Sequence, residues 1–163
     1  LAPIILLILI FGEYLLCVFL FLLAGMSDYF DGYLARKYNA ESQLGEILDP
    51  IADKILVVFI LIGLSVNLHS YLMAVMSSLI ISREIGVAAL RDYAARNEMS
   101  HKTKVTFLAK SKTALQLFTI MLYLIALSFN LNLLIIIGDI SLIAATLITL
   151  YTGYEYTNNI FTK

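Results

Sequence analysis

Charged residues are scarce in this chain. Asp, Glu, Lys and Arg make up 14% of its 163 residues, against about 25% in a soluble domain. With 61% hydrophobic residues and a mean hydropathy of +0.90, that shortage excludes an ordinary soluble globule, a disordered segment and a nucleic-acid module. Nor does one sign of charge dominate: the formal net charge is −1, so no global field draws the chain to polyanions. Cysteine is nearly absent. The lone Cys17 cannot close an internal disulfide and, inside an apolar run, reads as a buried inert thiol. No basic stretch followed by a cleavage site opens the chain, so a removable signal peptide is not expected. A chain that opens on Leu1 rather than Met is expected to lack its natural N-terminus. Internal repeats, low-complexity stretches and long linkers are missing too, so residues 1–163 read as a single transmembrane domain.

What is present is a series of apolar runs. A helix needs about 20 residues to cross a hydrocarbon core of about 30 Å. Turn signals and charge clusters divide the chain into six segments: Leu1 to Phe11, Tyr14 to Tyr38, Leu44 to Val66, Tyr71 to Asn97, Val105 to Phe129 and Leu133 to Tyr154. The sequence therefore predicts an all-α integral membrane protein, a six-transmembrane-helix bundle. The first segment covers only about 15 Å as a helix and reads as the outer half of a truncated span. The turns near Asn67–Ser70 and Asn130–Asn132 hold no basic residue, whereas the opposite side holds Arg36, Lys37, Arg91, Arg96, Lys102, Lys104, Lys110, Lys112 and Lys163. The basic side is expected to be cytosolic. Tyr151, Tyr154 and Tyr156 fit an interfacial aromatic belt.

Charge inside a bilayer is costly and marks a site by default. Segment two holds Asp28 and Asp31, segment three Asp49 and Asp53, and segment four Arg83 and Glu84. At about 1.5 Å per residue, Asp28 lies about 21 Å, Asp53 about 20 Å and Arg83 about 18 Å from the outer ends. Three helices thus bring charge to one level, with Asp31 and Asp49 nearer the cytosol, as in a polar cavity that opens there. On a helix Asp28, Asp31, Gly32 and Ala35 share a face, and Gly45, Asp49 and Asp53 form a second stripe. Small residues beside the acids allow a close approach. Four carboxylates in a low-dielectric cleft repel unless a cation lies between them. An all-oxygen donor set favours Mg²⁺ or Mn²⁺ over zinc, and His69 and His101, in or near loops, stand away from this level. Carboxylate-bound metal pairs serve displacement at phosphorus. Other readings stay open at this point. Asp49 before Pro50 has the form of a helix N-cap, and Asp28 and Asp31 could pair with Arg36 or Arg83.

Residues 28–53 read Asp28-x-x-Asp31-Gly32-x-x-Ala35-Arg36, eight further residues, then Gly45-x-x-x-Asp49-x-x-x-Asp53. Every fixed position and gap resembles the signature of the CDP-alcohol phosphotransferase family. The stretches SDYFDGYLARKYN, GEILDPIADKILV, SREIGVAALRDYAA and AKSKT look most like its bacterial members that use glycerol 3-phosphate. The likeness runs from about residue 14 to 125. It implies a six-helix fold, a homodimer and an active site facing the cytosol in a bacterial inner membrane. The implied reaction transfers a phosphatidyl group from CDP-diacylglycerol to sn-glycerol 3-phosphate, giving phosphatidylglycerophosphate and CMP, with two divalent cations as cofactors. By the same resemblance Asp28, Asp31, Asp49 and Asp53 are metal ligands and Asp53 is the general base. Asp28, Gly32, Ala35, Arg36 and Gly45 fall to the cytidine diphosphate, with Arg36 near the pyrophosphate.

An acceptor that carries its own phosphate needs cations. Arg83 and Arg91 lie two turns apart on segment four and Lys110 opens segment five, so these three are the expected phosphate site, with Lys112 a weaker candidate. Ordinary positive-inside charge is the alternative for each. Rival functions are a sister enzyme using serine, inositol phosphate or phosphatidylglycerol and, from another class, a cation transporter. Serine would not require the cationic cluster, and a transporter would not require the Gly, Ala and Arg positions of the motif.

Overall fold

The computed structural model describes residues 1–38, 43–97 and 107–161, with the side chains at 29, 32, 35, 36, 43–50 and 107–110 outside that description. Six helices follow one another: α1 (Ala2–Ile10), α2 (Tyr14–Lys37), α3 (Gln43–Leu68), α4 (Tyr71–Arg96), α5 (Phe107–Phe129) and α6 (Asn132–Phe161). Among the described residues there is no strand. In hydrocarbon each backbone N–H and C=O must be satisfied within the segment, and the helix does this locally. Parts of α3 and α5 (Ile51–Leu68 and Ser111–Phe129), with α4 and α6 in full, are long and apolar enough to cross a membrane. Within α2 the described stretch Tyr14–Asp28 is apolar but shorter. With nine residues, α1 is too short to cross.

The turns at one end of the bundle are tight and chemically specific. Asn130 takes a left-handed conformation (φ 52°) after α5, and the Leu131 N–H returns to the Ala126 carbonyl at 2.9 Å. That is the Schellman closure, which asparagine tolerates better than most side chains. Ser70 caps α4, its hydroxyl accepting the Met73 N–H at 3.3 Å and so satisfying one of the donors that a helix start leaves over. Asn67, near the end of α3, ties three helices together. Its Nδ2 donates to the carbonyls of Leu9 and Gly63, each at 3.0 Å, and its Oδ1 accepts from the Tyr14 hydroxyl at 3.0 Å. A Cβ at Gly63 would stand 2.5 Å from Leu9 Cδ2, so glycine there is what lets α1 lie directly on α3.

The helices form a ring. α1 packs on α2 and α3, α2 on α5, α5 on α6, α6 on α4, and α4 on α3, while α3 also touches α5. Ile5, Leu9, Ile60, Leu64, Met73, Ile80, Ile120, Leu124 and Leu142 are the buried apolar core. Large apolar side chains such as Phe19, Ile62, Ile136 and Leu147 point outward, as they do when the surrounding solvent is lipid. The boundaries fall within two residues of the expected segments except at the end of α6, which runs to Phe161 instead of stopping at Tyr154. The polar run Tyr154–Asn159 looks like a helix end, but the helix continues through it. Thr157 Oγ1 donates to the Gly153 carbonyl at 2.9 Å, Ile160 is buried, and Phe161 stacks on Tyr93 of α4 with ring centroids 6.1 Å apart.

Candidate active site

Helices α2, α3, α4 and α5 enclose a cavity of about 560 Å³. Among the described residues most of its wall is apolar, built from Phe21, Leu22, Val57, Ile80 and Leu117 among others, and the polar side chains on it are Asp28, Asp53, Lys54, Glu84, Thr113 and Gln116. Asp28 from α2 and Asp53 from α3, expected at one level in the bilayer, both line this cavity. Both side chains are exposed. Among the described residues Asp28 makes no hydrogen bond or ion pair, so the alternative that pairs it with Arg83 does not apply.

The other expected ligands divide. Asp31 is exposed on α2, its Oδ2 accepting from Ser27 Oγ at 3.3 Å, and it is not part of the cavity wall. Asp49 and Gly45 on α3, Gly32, Ala35 and Arg36 on α2, and Lys110 on α5 belong to the expected site, but their side chains lie outside the described residues. Among the described residues no three His, Cys, Asp or Glu side chains gather as a metal group. The pair that does share a cavity offers carboxylate oxygens only, a donor set that fits Mg²⁺ or Mn²⁺ rather than a soft metal.

The expected phosphate site looks different in three dimensions. Arg91 is exposed on α4, but Arg83 turns away from the cavity wall towards α6. Its Nη2 donates to Thr152 Oγ1 at 2.9 Å and its Nη1 to Glu84 Oε1 at 3.0 Å. Gly153 makes room for it, since a Cβ there would stand 3.0 Å from both Cγ and Nε of Arg83. Lys112, the weaker candidate, is buried and pairs through Nζ with the same Glu84 oxygen. One carboxylate therefore serves two cations, and it is Glu84, not Arg83, that lines the cavity. Gln116 Nε2 continues the polar seam, donating to Thr149 Oγ1 of α6 at 3.0 Å.

Glu84, an intramembrane charge with no role expected from the sequence, lines the cavity together with Lys54 and Gln116, which carry no sequence signal of their own. The usable signal was Glu84 itself: an intramembrane carboxylate calls for a cation on a neighbouring helix, and Lys112 supplies one.

The CDP-alcohol phosphatidyltransferase family model matches residues 1–151. The chain belongs to this family. Among its relatives are three enzymes each named CDP-diacylglycerol–glycerol-3-phosphate 3-phosphatidyltransferase. That of Blochmanniella floridana is 42% identical over 148 residues, covering 90% of this chain and 76% of the relative. The one from Rickettsia bellii is 42% identical over 138 residues, covering 84% and 74%. The third, from Wigglesworthia glossinidia brevipalpis, is 35% identical over 137 residues with the same coverage. Family membership agrees with the motif across Asp28–Asp53, whose first and last acids both line the cavity.

Proposed function

We propose that this family member transfers the phosphatidyl group of CDP-diacylglycerol to the 1-hydroxyl of sn-glycerol 3-phosphate, releasing CMP and giving phosphatidylglycerophosphate for phospholipid biosynthesis. The observation that carries the reading is that Asp28 and Asp53, from two helices, both line one largely apolar cavity. The names of the relatives supply the donor and the acceptor.

In this reading the apolar wall between α2 and α5 receives the diacylglycerol portion, and burial of apolar surface holds it. Gly32, Ala35, Arg36 and Gly45, with Asp28, recognise the cytidine diphosphate. Asp28, Asp31, Asp49 and Asp53 would hold two divalent cations, Mg²⁺ or Mn²⁺, which when bound neutralise phosphate charge. Asp53 accepts the proton of the attacking hydroxyl. The hydroxyl oxygen bonds to the phosphatidyl phosphorus as the bond from that phosphorus to the CMP oxygen breaks. Arg91 and Lys110 meet the phosphate of the acceptor, with Arg83 behind them as an anchor on α6.

The basic residues of one end of the bundle support a cytosolic active site in a bacterial inner membrane. The homodimer implied by the family is part of the reading and is checked by crosslinking in membranes. The decisive experiment is CMP release from CDP-diacylglycerol by purified protein with glycerol 3-phosphate, serine, inositol phosphate or phosphatidylglycerol offered singly. Release with glycerol 3-phosphate alone is expected, and release with another acceptor instead overturns the acceptor assignment. Excess chelator is expected to stop the reaction and added Mg²⁺ or Mn²⁺ to restore it. Turnover that survives complete metal removal would refute the metal-dependent reading.

A further inference from the structure

We propose that Glu84 reads the second hydroxyl of the acceptor, the one beside the reacting hydroxyl, and so selects a vicinal diol phosphate. The inference rests on the phosphatidyl-transfer reading above and adds a specificity-determining residue to it. Glu84 lines the same cavity as Asp28 and Asp53. At about 1.5 Å per residue, Glu84, Asp28 and Asp53 lie about 20, 21 and 22 Å from the outer ends of their helices, whereas Arg91 lies about 30 Å along α4. Glu84 is therefore level with the proposed base, and the cations for the acceptor phosphate lie nearer the cytosol.

Its two oxygens are used unequally. Arg83 Nη1 and Lys112 Nζ both engage Oε1, and among the described residues Oε2 accepts no hydrogen bond. Two cations from α4 and α5 fix the side chain, which is 16% exposed, so its remaining acceptor is held in place before substrate arrives. A carboxylate oxygen can only accept. It repels a phosphate and suits a hydroxyl, to which it forms a charge-assisted hydrogen bond. A glycerol phosphate seated with its phosphate towards Arg91 and its first hydroxyl at Asp53 would bring its second hydroxyl to the Glu84 level. Serine would bring an ammonium and a carboxylate there instead, and the carboxylate would be repelled.

The test compares two acceptors with the same phosphate and the same primary hydroxyl, sn-glycerol 3-phosphate and 3-hydroxypropyl phosphate, by kcat/KM for CMP release. A site built to bond a hydroxyl discriminates strongly against an analogue without it, so the wild type is expected to prefer glycerol 3-phosphate by about 100-fold or more. In Glu84→Gln the amide carbonyl remains with Arg83 and Lys112 and an amide NH₂ replaces Oε2. The preference is then expected to fall below about tenfold, with the loss on glycerol 3-phosphate and 3-hydroxypropyl phosphate turned over as before. Glu84→Asp keeps the counter-charge, protects the fold and withdraws the open oxygen by one methylene, and it should lower the preference as well. If Glu84→Gln does not fold, Glu84→Asp decides. Variants that keep the wild-type preference, or that lose kcat/KM for both acceptors alike, overturn the inference while the reaction stands. A wild type that releases no CMP with either acceptor overturns the reaction and this inference with it.

Discussion

Two polar groups lie within the same ring of helices, and they are treated in opposite ways. Asp28 and Asp53 face a shared cavity with exposed side chains. On the wall of the same cavity Glu84 is held by Arg83 and Lys112, and the three side chains are only 16%, 8% and 9% exposed. Taking ions out of water costs several kcal/mol each, at an order of magnitude, unless partners return it. The Arg83–Glu84–Lys112 cluster returns it inside the protein. The aspartates are exposed where they line the cavity, and among the described residues Asp28 has no partner of its own. The difference separates a carboxylate fixed by two buried cations, with one oxygen left towards the cavity, from exposed carboxylates on the same wall, although both interrupt the apolar pattern in the same manner.

Substitution at Asp53 should break the comparison most visibly. Asp53→Asn removes the proposed proton acceptor without changing shape, and CMP release is expected to fall by about 10³-fold. The exposed side chain gives the fold little to lose, so the midpoint of thermal unfolding should stay within about 2 °C. Turnover near the wild-type rate would remove Asp53 from the chemistry. An equally large loss of stability would mean that the aspartates, too, are structural.

The cluster should respond in the reverse order. Lys112→Met keeps the length of the side chain but leaves Glu84 with Arg83 alone, and removing one partner of a buried pair costs about 3–5 kcal/mol. The unfolding midpoint in detergent is expected to drop by on the order of 10 °C. An unchanged midpoint would show that the cluster contributes nothing to the fold, and the contrast between the fixed cluster and the exposed aspartates would fail.

Much of this is legible in the sequence. Depth along a helix is a count of residues, so Asp28 and Asp53 could be read as level, and the helix ends at Tyr14, Tyr71 and Phe129 follow from turn residues and the apolar runs between them. The direction of Arg83 was not legible. Neighbouring residues on a helix point about 100° apart, so Arg83 and Glu84 cannot both face the cavity. Which of them does depends on whether α6 or α5 stands beside that part of α4. That order in the ring is set by side-chain packing, to which an almost uniformly apolar sequence gives no clue. The end of α6 was misread for a related reason. Tyr154–Asn159 is polar enough to resemble an interface, yet the aromatic contact between Tyr93 and Phe161 is a tertiary fact.

The smallest expected effect is the sharpest probe of how rigid the cluster is. Gly153 on α6 leaves the space that the Arg83 side chain fills, and a Cβ there would lie 3.0 Å from Arg83 Cγ and Nε. Arg83 cannot simply swing aside, because Nη1 is engaged by Glu84 and Nη2 by Thr152. In Gly153→Ala two terms oppose each other. Alanine favours the helix over glycine by about 1 kcal/mol, while overpacking a fitted contact costs about 1–3 kcal/mol. A net loss of about 1 kcal/mol is expected, seen as a midpoint lower by about 2–4 °C. Any shift of Arg83 passes through the shared Oε1 to Glu84, so kcat/KM for glycerol 3-phosphate should fall a few-fold, on the order of 1 kcal/mol or less, while turnover at saturating acceptor is kept. A midpoint that rises instead would mean that Arg83 yields freely, that the cluster is loose, and that Glu84 is no more fixed than the aspartates it is contrasted with.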